Sequence, residues 1–250
     1  GAATTGGYGS VLQFTVLIES LANAGAIVAR PVIMRKYAQR DSAALQRFSS
    51  QAVKLLGLAL ALPVGLLCGF SRPLLSIWLG PSFQNLDVLL VFVVVHLGLV
   101  LSALPLAYVQ SAHNKVRWPG IMTLLSGVTN LVLAILLAVW GGWGVVGVAV
   151  AGAVVWTARN TLYMPIYTAR IMELQWWTFL PSLSAGLVGT LVVGVAAYGS
   201  TLVHVPNTWL ALAGSAALVS LLYAVGVGAV GLSRADWQLL RGLLPWRTKE

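Results

Sequence analysis

Residues 118–140, WPGIMTLLSGVTNLVLAILLAVW, contain no charged side chain and only a few polar ones. As a helix this stretch would rise about 35 Å, enough to cross the roughly 30 Å hydrocarbon core of a bilayer. The composition of the whole chain agrees, because 58% of its 250 residues are hydrophobic and only 8% are charged. These values lie outside the range of soluble domains. The sequence therefore predicts a chain that is embedded mainly in lipid.

Similar apolar runs recur along the chain and predict seven membrane-spanning helices. The predicted spans cover residues 9–31, 53–71, 87–109, 118–140, 144–166, 182–204 and 209–231. Helices are expected because a bilayer admits only helices and closed barrels, and these runs lack the alternation of barrel strands. The predicted fold class is all-α, a polytopic transmembrane helical bundle that forms one domain over residues 1–250. Polar residues 34–54 predict a cytoplasmic helical connector, and residues 232–250 a cytoplasmic tail.

Basic residues divide unevenly between the two sides of this predicted bundle. Of the 15 Lys and Arg residues, all but Arg72 lie in or beside alternate connections and the final tail. Cytoplasmic loops are enriched in Lys and Arg, so this pattern predicts a multi-pass protein of the cell (inner or plasma) membrane with a cytoplasmic C-terminus. Orientation thus explains the net charge of +9, and no nucleic acid is expected as a partner.

Motifs for catalysis, metals or nucleotides are missing or out of context. The six acidic residues are scattered, Cys68 is the only cysteine, and the three histidines do not have metal-ligand spacing. A GxGxxG pattern occurs twice, from Gly142 to Gly147 and from Gly226 to Gly231, but at or inside apolar spans, where small residues favour close helix packing. We expect no enzyme activity, no cofactor and no metal.

One polar stripe runs along the first predicted span. Glu19 lies near its middle, Asn23 follows at i+4 and Arg30 at i+11, so all three share one helical face. A carboxylate facing lipid at that depth is costly, so Glu19 should face a cavity, find a partner or be protonated. Two interpretations stand side by side: a stripe that lines a hydrophilic pathway, and a structural hydrogen bond between helices.

Asn130 in the fourth span and Arg159 in the fifth are further pathway candidates. Asn130 lies one turn from Ser126, and hydrogen bonding between helices is the favoured role for both. Arg159 lies near the inner end of its predicted span, where it can extend to the headgroups or contact a substrate phosphate. His96 in the third span is a weaker candidate for the pathway.

The order of several segments resembles the polysaccharide transporter branch of the multidrug/oligosaccharidyl-lipid/polysaccharide exporters, which includes O-antigen-type flippases. The matching segments are GGYGSVLQFTVLIESLANAGAIVARPVI at 6–33, MRKYAQRDSAALQRF at 34–48, LLSIWLGPSF at 74–83, SAHNKVRWPGIMTLLSGVTNLVLAILL at 111–137 and GGWGVVGVAVAGAV at 141–154. In a fourteen-span member the first span here would be the eighth, which agrees with the orientation that the charges predict.

The resemblance implies that the chain is the C-terminal half of such a transporter, with two helical bundles around a central cavity. Its expected partners are the bilayer, an undecaprenyl-type lipid-linked oligosaccharide, a coupling proton or sodium ion, and the missing N-terminal half. The expected function is flipping of a lipid-linked oligosaccharide or polysaccharide precursor, as in lipopolysaccharide O-antigen synthesis, from the cytoplasmic to the outer leaflet by alternating access. The alternatives are an ion-coupled antiporter for drugs or small solutes and, less favoured, a membrane-bound polysaccharide polymerase or ligase.

Overall fold

Helices make up most of the chain, and no strand occurs among residues 2–243. The computed structural model describes the backbone of these residues and the side chains of residues 9–237 and 239; residue 1 and residues 244–250, which end the predicted tail, lie outside the described residues. The α-helices are α1 Ala2–Ala38, α2 Ser42–Gly69, α3 Ser71–Trp78, α4 Asp87–Val94, α5 Leu97–Ser102, α6 Leu104–Ala112, α7 Arg117–Ile135, α8 Gly144–Ala158, α9 Met164–Ile171, α10 Leu180–Val203, α11 Trp209–Gly226 and α12 Arg234–Leu243. A 3₁₀ helix covers Pro81–Leu86, and π-helical turns cover Leu136–Trp140, Arg159–Tyr163 and Val227–Gly231.

In the described part of the chain, seven segments are long and apolar enough to cross a membrane. They are Gly9–Ala38, Ser42–Gly69, Pro81–Ala112, Arg117–Trp140, Gly144–Ile171, Leu180–Val203 and Trp209–Gly231, called spans one to seven below. This number confirms the predicted all-α polytopic bundle. Span three is built from the 3₁₀ helix and three short α-helices, α4, α5 and α6, and the break at Ala103 comes just before Pro105, a residue type that interrupts helices.

The stretch predicted as a separate connector, residues 34–54, is instead part of spans one and two. α1 continues to Ala38 and α2 begins at Ser42, so only a short turn separates them. Residues 34–54 therefore form the end of α1, a turn and the start of α2 rather than one separate helix, and their cytoplasmic location stays a prediction. The physical reason is that residues 34–54 contain neither Gly nor Pro, so nothing in the sequence ends the apolar helices where the lipid ends.

Three connections on the same side of the bundle begin with the same backbone motif. Arg40, Asn114 and Glu173 each have a left-handed backbone, with φ of 57°, 53° and 57°. The N–H of the residue after each one donates to a carbonyl five residues back, as in the Schellman motif. The donor and acceptor pairs are Asp41 to Lys36 at 3.3 Å, Lys115 to Gln110 at 2.9 Å and Leu174 to Ala169 at 2.8 Å. Glycine is usual at this position and Asn is tolerated, so Arg40 and Glu173 adopt it at a cost of about 1–2 kcal/mol each.

α2 and α10 pack with their backbones in close contact. A Cβ atom added at Gly186 would lie 2.9 Å from the Cα of Gly57, and one added at Gly57 would lie 3.1 Å from the Cα of Gly186. Further along the same contact, a Cβ added at Gly65 would lie 2.6 Å from the Cβ of Val193. These small residues let the two backbones touch, which is how helices commonly associate in lipid. α2 also contacts α1 and all three helices of span three, so it is the centre of the bundle.

The last helix, α12, is tied to the start of the bundle. The Lys54 ammonium donates to Oδ2 of Asp236 at 2.7 Å, and the N–H and hydroxyl of Ser233 donate to the same oxygen. Burial favours a raised pKa for Asp236, which is 2% exposed, but these donors and the charge of Lys54 hold that pKa below its ordinary value. α12 therefore joins the segment after span seven to span two on the basic side.

We expect four single cysteines to report the orientation of the spans. In the full-length protein with Cys68→Ala, an impermeant thiol reagent should label Ser82→Cys and Asn207→Cys in intact cells, but not Ser42→Cys or Asn114→Cys. All four positions are exposed in the structure, so only the membrane should protect the second pair. Permeabilised cells give the control, since all four should then react. Labelling of Ser42→Cys in intact cells would contradict the predicted orientation.

Candidate functional site

A cavity of about 420 Å³ lies among spans one, three, four and five. Its walls combine apolar side chains with a polar set that comes from all four spans. The polar and aromatic members are Thr15, Glu19, His96, Asn130, Trp156, Arg159 and Asn160. Because these residues belong to membrane-spanning helices, the cavity is a polar site inside the apolar part of the protein.

α1 places Thr15 and Glu19 next to each other on the wall of the cavity. They are four residues apart and therefore share a helical face. Glu19 lies about 15 Å along the helix from Gly9, well inside span one. Its side chain is exposed, and among the described residues no hydrogen bond or ion pair holds its carboxylate. A charged group at this depth is retained when it serves a cavity or a pathway.

Span three contributes His96 at a break in its backbone. α4 ends at Val94 and α5 begins at Leu97, so His96 lies in the interruption between them. Its Nδ1 lies 3.2 Å from the carbonyl of Phe92; a carbonyl only accepts, so Nδ1 carries the proton and Nε2 remains for another group. Irregular backbone within a membrane is tolerated where it is covered by protein or lines a cavity.

Arg159 supplies the positive charge of the site. It begins the π-helical turn Arg159–Tyr163, and such turns often occur at functional sites. Its Nη2 donates to the hydroxyl of Thr123 at 2.7 Å, and the guanidinium lies 5.4 Å from the ring centre of Trp156. Span five continues to Ile171, so Arg159 lies about 18 Å from the basic end of that helix.

Three polar atoms of this cavity are buried without a hydrogen-bond partner in the described part of the chain. They are Oγ1 of Thr15, Oδ1 of Asn130 and Nε of Arg159. Leaving a buried polar atom unpaired costs about 1–3 kcal/mol, so native proteins keep few of them. Both donors and acceptors are among these groups, which suits a ligand that carries oxygen atoms and hydroxyl groups.

The chain is 34% identical over 244 residues to a protein of Bacillus subtilis (strain 168) named uncharacterized membrane protein EpsK. The match covers 96% of this chain and 48% of that protein. The chain therefore spans about half the length of the curated relative it matches. No family model and no solved structure matches the chain. With its seven candidate spans and this relative, the chain is a multi-pass membrane protein.

The cavity brings together some of the residues that the sequence proposed for a pathway and leaves out others. Glu19, Asn130 and Arg159 line it, although no ion pair joins Glu19 to Arg159 among the described residues. Asn23 and Arg30 lie outside the cavity on an exposed part of α1. The Asn23 amide donates to the backbone carbonyl of Glu19 at 2.8 Å, and the Arg30 guanidinium lies 6.0 Å from the ring centre of Tyr108.

Sequence reasoning missed Thr15, Trp156 and Asn160 as members of the site. Thr15 could have been found as the i−4 neighbour of Glu19, and Asn160 as an amide beside Arg159 within an apolar run. Trp156 lies well inside span five. Its position under the Arg159 guanidinium is a cation–π contact, a role that its depth in the span alone does not indicate.

Proposed function

We propose that this chain is the C-terminal, membrane-embedded part of a transporter that flips a lipid-linked oligosaccharide or polysaccharide precursor from the cytoplasmic to the outer leaflet by alternating access. The observation that carries the proposal is the polar cavity between spans one, three, four and five, lined by Glu19, Asn130 and Arg159. Support also comes from the relative, which is about twice as long as this chain and so leaves room for a second bundle. The resemblance to O-antigen-type flippases points to the same function.

Each charged residue has a distinct role in this proposal. Arg159 binds a phosphate oxygen of the lipid-linked substrate, because a guanidinium forms strong charge-assisted hydrogen bonds with phosphate. Glu19 takes up a coupling proton or sodium ion, as carboxylates within membrane spans commonly do. The amides of Asn130 and Asn160 offer hydrogen bonds to sugar hydroxyl groups. None of these roles requires a bond to be made or broken, so the protein acts as a transporter rather than an enzyme.

The second candidate is an ion-coupled antiporter for small solutes, and the same cavity favours it. Glu19 serves either function, because proton or sodium coupling needs one carboxylate that is accessible in turn from each side. The two differ in their need for Arg159. A phosphate-bearing substrate requires a cation in the cavity, whereas a cationic drug is repelled by one.

The test is a flipping assay on the full-length protein in liposomes. The probe is a fluorescent undecaprenyl-pyrophosphate-linked oligosaccharide, and the readout is the rate at which its label becomes accessible to an impermeant quencher. Liposomes with the protein should expose the inner-leaflet label faster than empty ones, and an imposed proton or sodium gradient should change that rate. Equal rates with and without protein under every gradient would contradict the proposal. Gradient-driven uptake of a cationic dye instead would favour the antiporter.

Replacing Glu19 with Gln should lower the flipping rate about tenfold, which corresponds to about 1.4 kcal/mol in the barrier. The change keeps the shape of the side chain but removes its charge, so protein abundance should stay near normal. Ser20→Ala is the matched control on the same helix, since the Ser20 hydroxyl only donates to the carbonyl of Val16. If abundance falls while the rate per molecule is kept, Glu19 is a structural residue.

A further inference from the structure

A second cavity, of about 350 Å³, lies on the basic side of the bundle, where α1, α2 and α6 meet. It is separate from the cavity around Arg159 and shares no residue with it. Its lining is Lys36, Tyr37, Ala38, Arg40, Asp41, Ser42, Leu45 and His113. Six of these side chains are polar, so this cavity, called the basic pocket below, is suited to a polar group.

The positive side chains of the basic pocket are not neutralised by the protein. Lys36 and Arg40 make no ion pair among the described residues. Asp41 is the one carboxylate of the pocket, and its Oδ1 accepts from the backbone N–H of Ala44, so it caps α2. Two cations therefore face one carboxylate that is already engaged, and the pocket keeps a net positive charge.

His113 adds a hydrogen-bond acceptor to the pocket. Its Nδ1 donates to the carbonyl of Val109 at 2.9 Å, which leaves Nε2 as the free ring atom. The ring lies 4.5 Å from the ring of Tyr37, centre to centre, and this contact fixes the imidazole between span one and span three. The pocket is thus held together by contacts between two spans rather than by a flexible loop.

Arg40 occupies a backbone position at which glycine would be less strained. Its φ of 57° is left-handed, and its own N–H donates to the carbonyl of Tyr37 at 3.0 Å in the Schellman motif that ends α1. Arginine at this position lowers the stability of the fold relative to glycine, but it adds a guanidinium to the pocket. Glu173 has the same strain, so the added guanidinium, and not the backbone conformation, is what Arg40 contributes to the pocket.

The predicted end of span one places the pocket at the level of the lipid headgroups. The predicted span one ends at Pro31, and Lys36 lies about 8 Å further along the helix. The headgroup layer extends about 5–8 Å beyond the hydrocarbon on each side, within reach of the Lys36 and Arg40 side chains. Basic pockets between spans on the cytoplasmic side bind anionic headgroups.

We propose that the basic pocket binds the phosphate-bearing headgroup of an anionic lipid in the leaflet next to the basic side, predicted to be cytoplasmic. Lys36 and Arg40 contact the phosphate, the hydroxyl of Ser42 donates to it, and Nε2 of His113 accepts from a headgroup hydroxyl. The bound lipid ties span one to span three at their basic ends. This inference does not depend on which substrate crosses the membrane, so it can be tested separately from the proposed flipping activity.

The experiment measures lipid retention by native mass spectrometry of the full-length protein in micelles that contain equal amounts of phosphatidylglycerol and phosphatidylcholine. The wild type should retain phosphatidylglycerol in preference to phosphatidylcholine. Arg40→Gly and Lys36→Gln should each lower the retained phosphatidylglycerol at least about threefold. Arg40→Gly is the decisive variant, because it relieves the backbone strain and so should fold at least as stably as the wild type.

Two controls separate the loss of charge at this site from other effects. Glu173→Gly makes the same change of backbone at another Schellman motif, and Arg47→Gln removes an exposed cation of α2 outside the pocket; both should retain the lipid as the wild type does. Normal retention by Arg40→Gly would overturn the proposal. A second result would also overturn the proposal: inorganic phosphate or pyrophosphate stabilises the wild type in neutral micelles, but the protein retains no phosphatidylglycerol. The pocket would then bind a soluble anion.

Discussion

Arg159→Gln in the full-length protein should lower flipping of the pyrophosphate-linked substrate by about 10- to 100-fold. A charge-assisted hydrogen bond is worth about 1.5–3 kcal/mol, and Gln can replace only part of its geometry and none of its charge. The Thr123 hydroxyl loses its Arg159 donor but keeps its own bond to the carbonyl of Pro119, so the helix pair should remain folded. The measurement is the quencher-accessibility rate in liposomes, normalised to the amount of inserted protein.

Arg170→Gln is the matched control for this change. Arg170 lies on the same span but is exposed at its basic end, so the flipping rate should stay within about twofold of the wild type. Arg159→Lys keeps the charge but loses the planar fork, and an intermediate rate is expected. Unchanged flipping by Arg159→Gln at normal abundance would exclude a phosphate role for this residue and would favour the antiporter.

Gly186→Leu should abolish folding of the bundle or come close to it. A Cβ atom at this position meets the Cα of Gly57 at 2.9 Å, and backbone atoms cannot rotate away as a side chain can. α2 and α10 would have to separate, and their buried contacts along Gly65 and Val193 would be lost with them. Overpacking typically costs about 1–3 kcal/mol, and a clash with backbone lies at or above the top of that range. Thermal unfolding in micelles and abundance in the membrane measure the effect.

Gly199→Leu gives the comparison on the same helix. A Cβ added at Gly199 has no other atom within 4 Å, so leucine there only adds apolar surface. Its unfolding temperature should match that of the wild type. If both leucine variants are equally stable, the close approach of α2 and α10 does not determine the stability of the bundle.

The fold class followed from the sequence because a bilayer restricts a chain to few structures. Apolar runs such as residues 118–140 have to be helices, and the uneven distribution of Lys and Arg fixes which ends share a side. Tyr37 contacts His113, and Lys54 contacts Asp236, so the helix ends that the charges assign to one side do lie together. Helix ends were less predictable, because the polar residues beyond the apolar runs are themselves good helix formers.

The candidate site was predictable only in part. Glu19 and Arg159 were singled out because charge within an apolar span is costly wherever the helix packs. Glu19 and Arg159 line the same cavity because of the way in which spans one, three, four and five cross. The hydrophobic pattern of each span does not determine how the spans cross. Asn23 and Arg30 share a helical face with Glu19, yet the cavity ends before it reaches them.

The ion pair between Lys54 and Asp236 has a mechanical consequence. α11 packs on α10, α10 packs on α2, and α12 returns from α11 to α2, so these four helices form a closed ring of contacts. A closed ring of contacts resists the sliding of its helices past one another. Among the described residues no ion pair closes the α7–α8 pair in this way: α7 contacts α8, and α8 contacts α4 and α5. A change of shape in the bundle is therefore easiest where that pair meets spans one and three, and the cavity with Glu19 and Arg159 lies at this boundary.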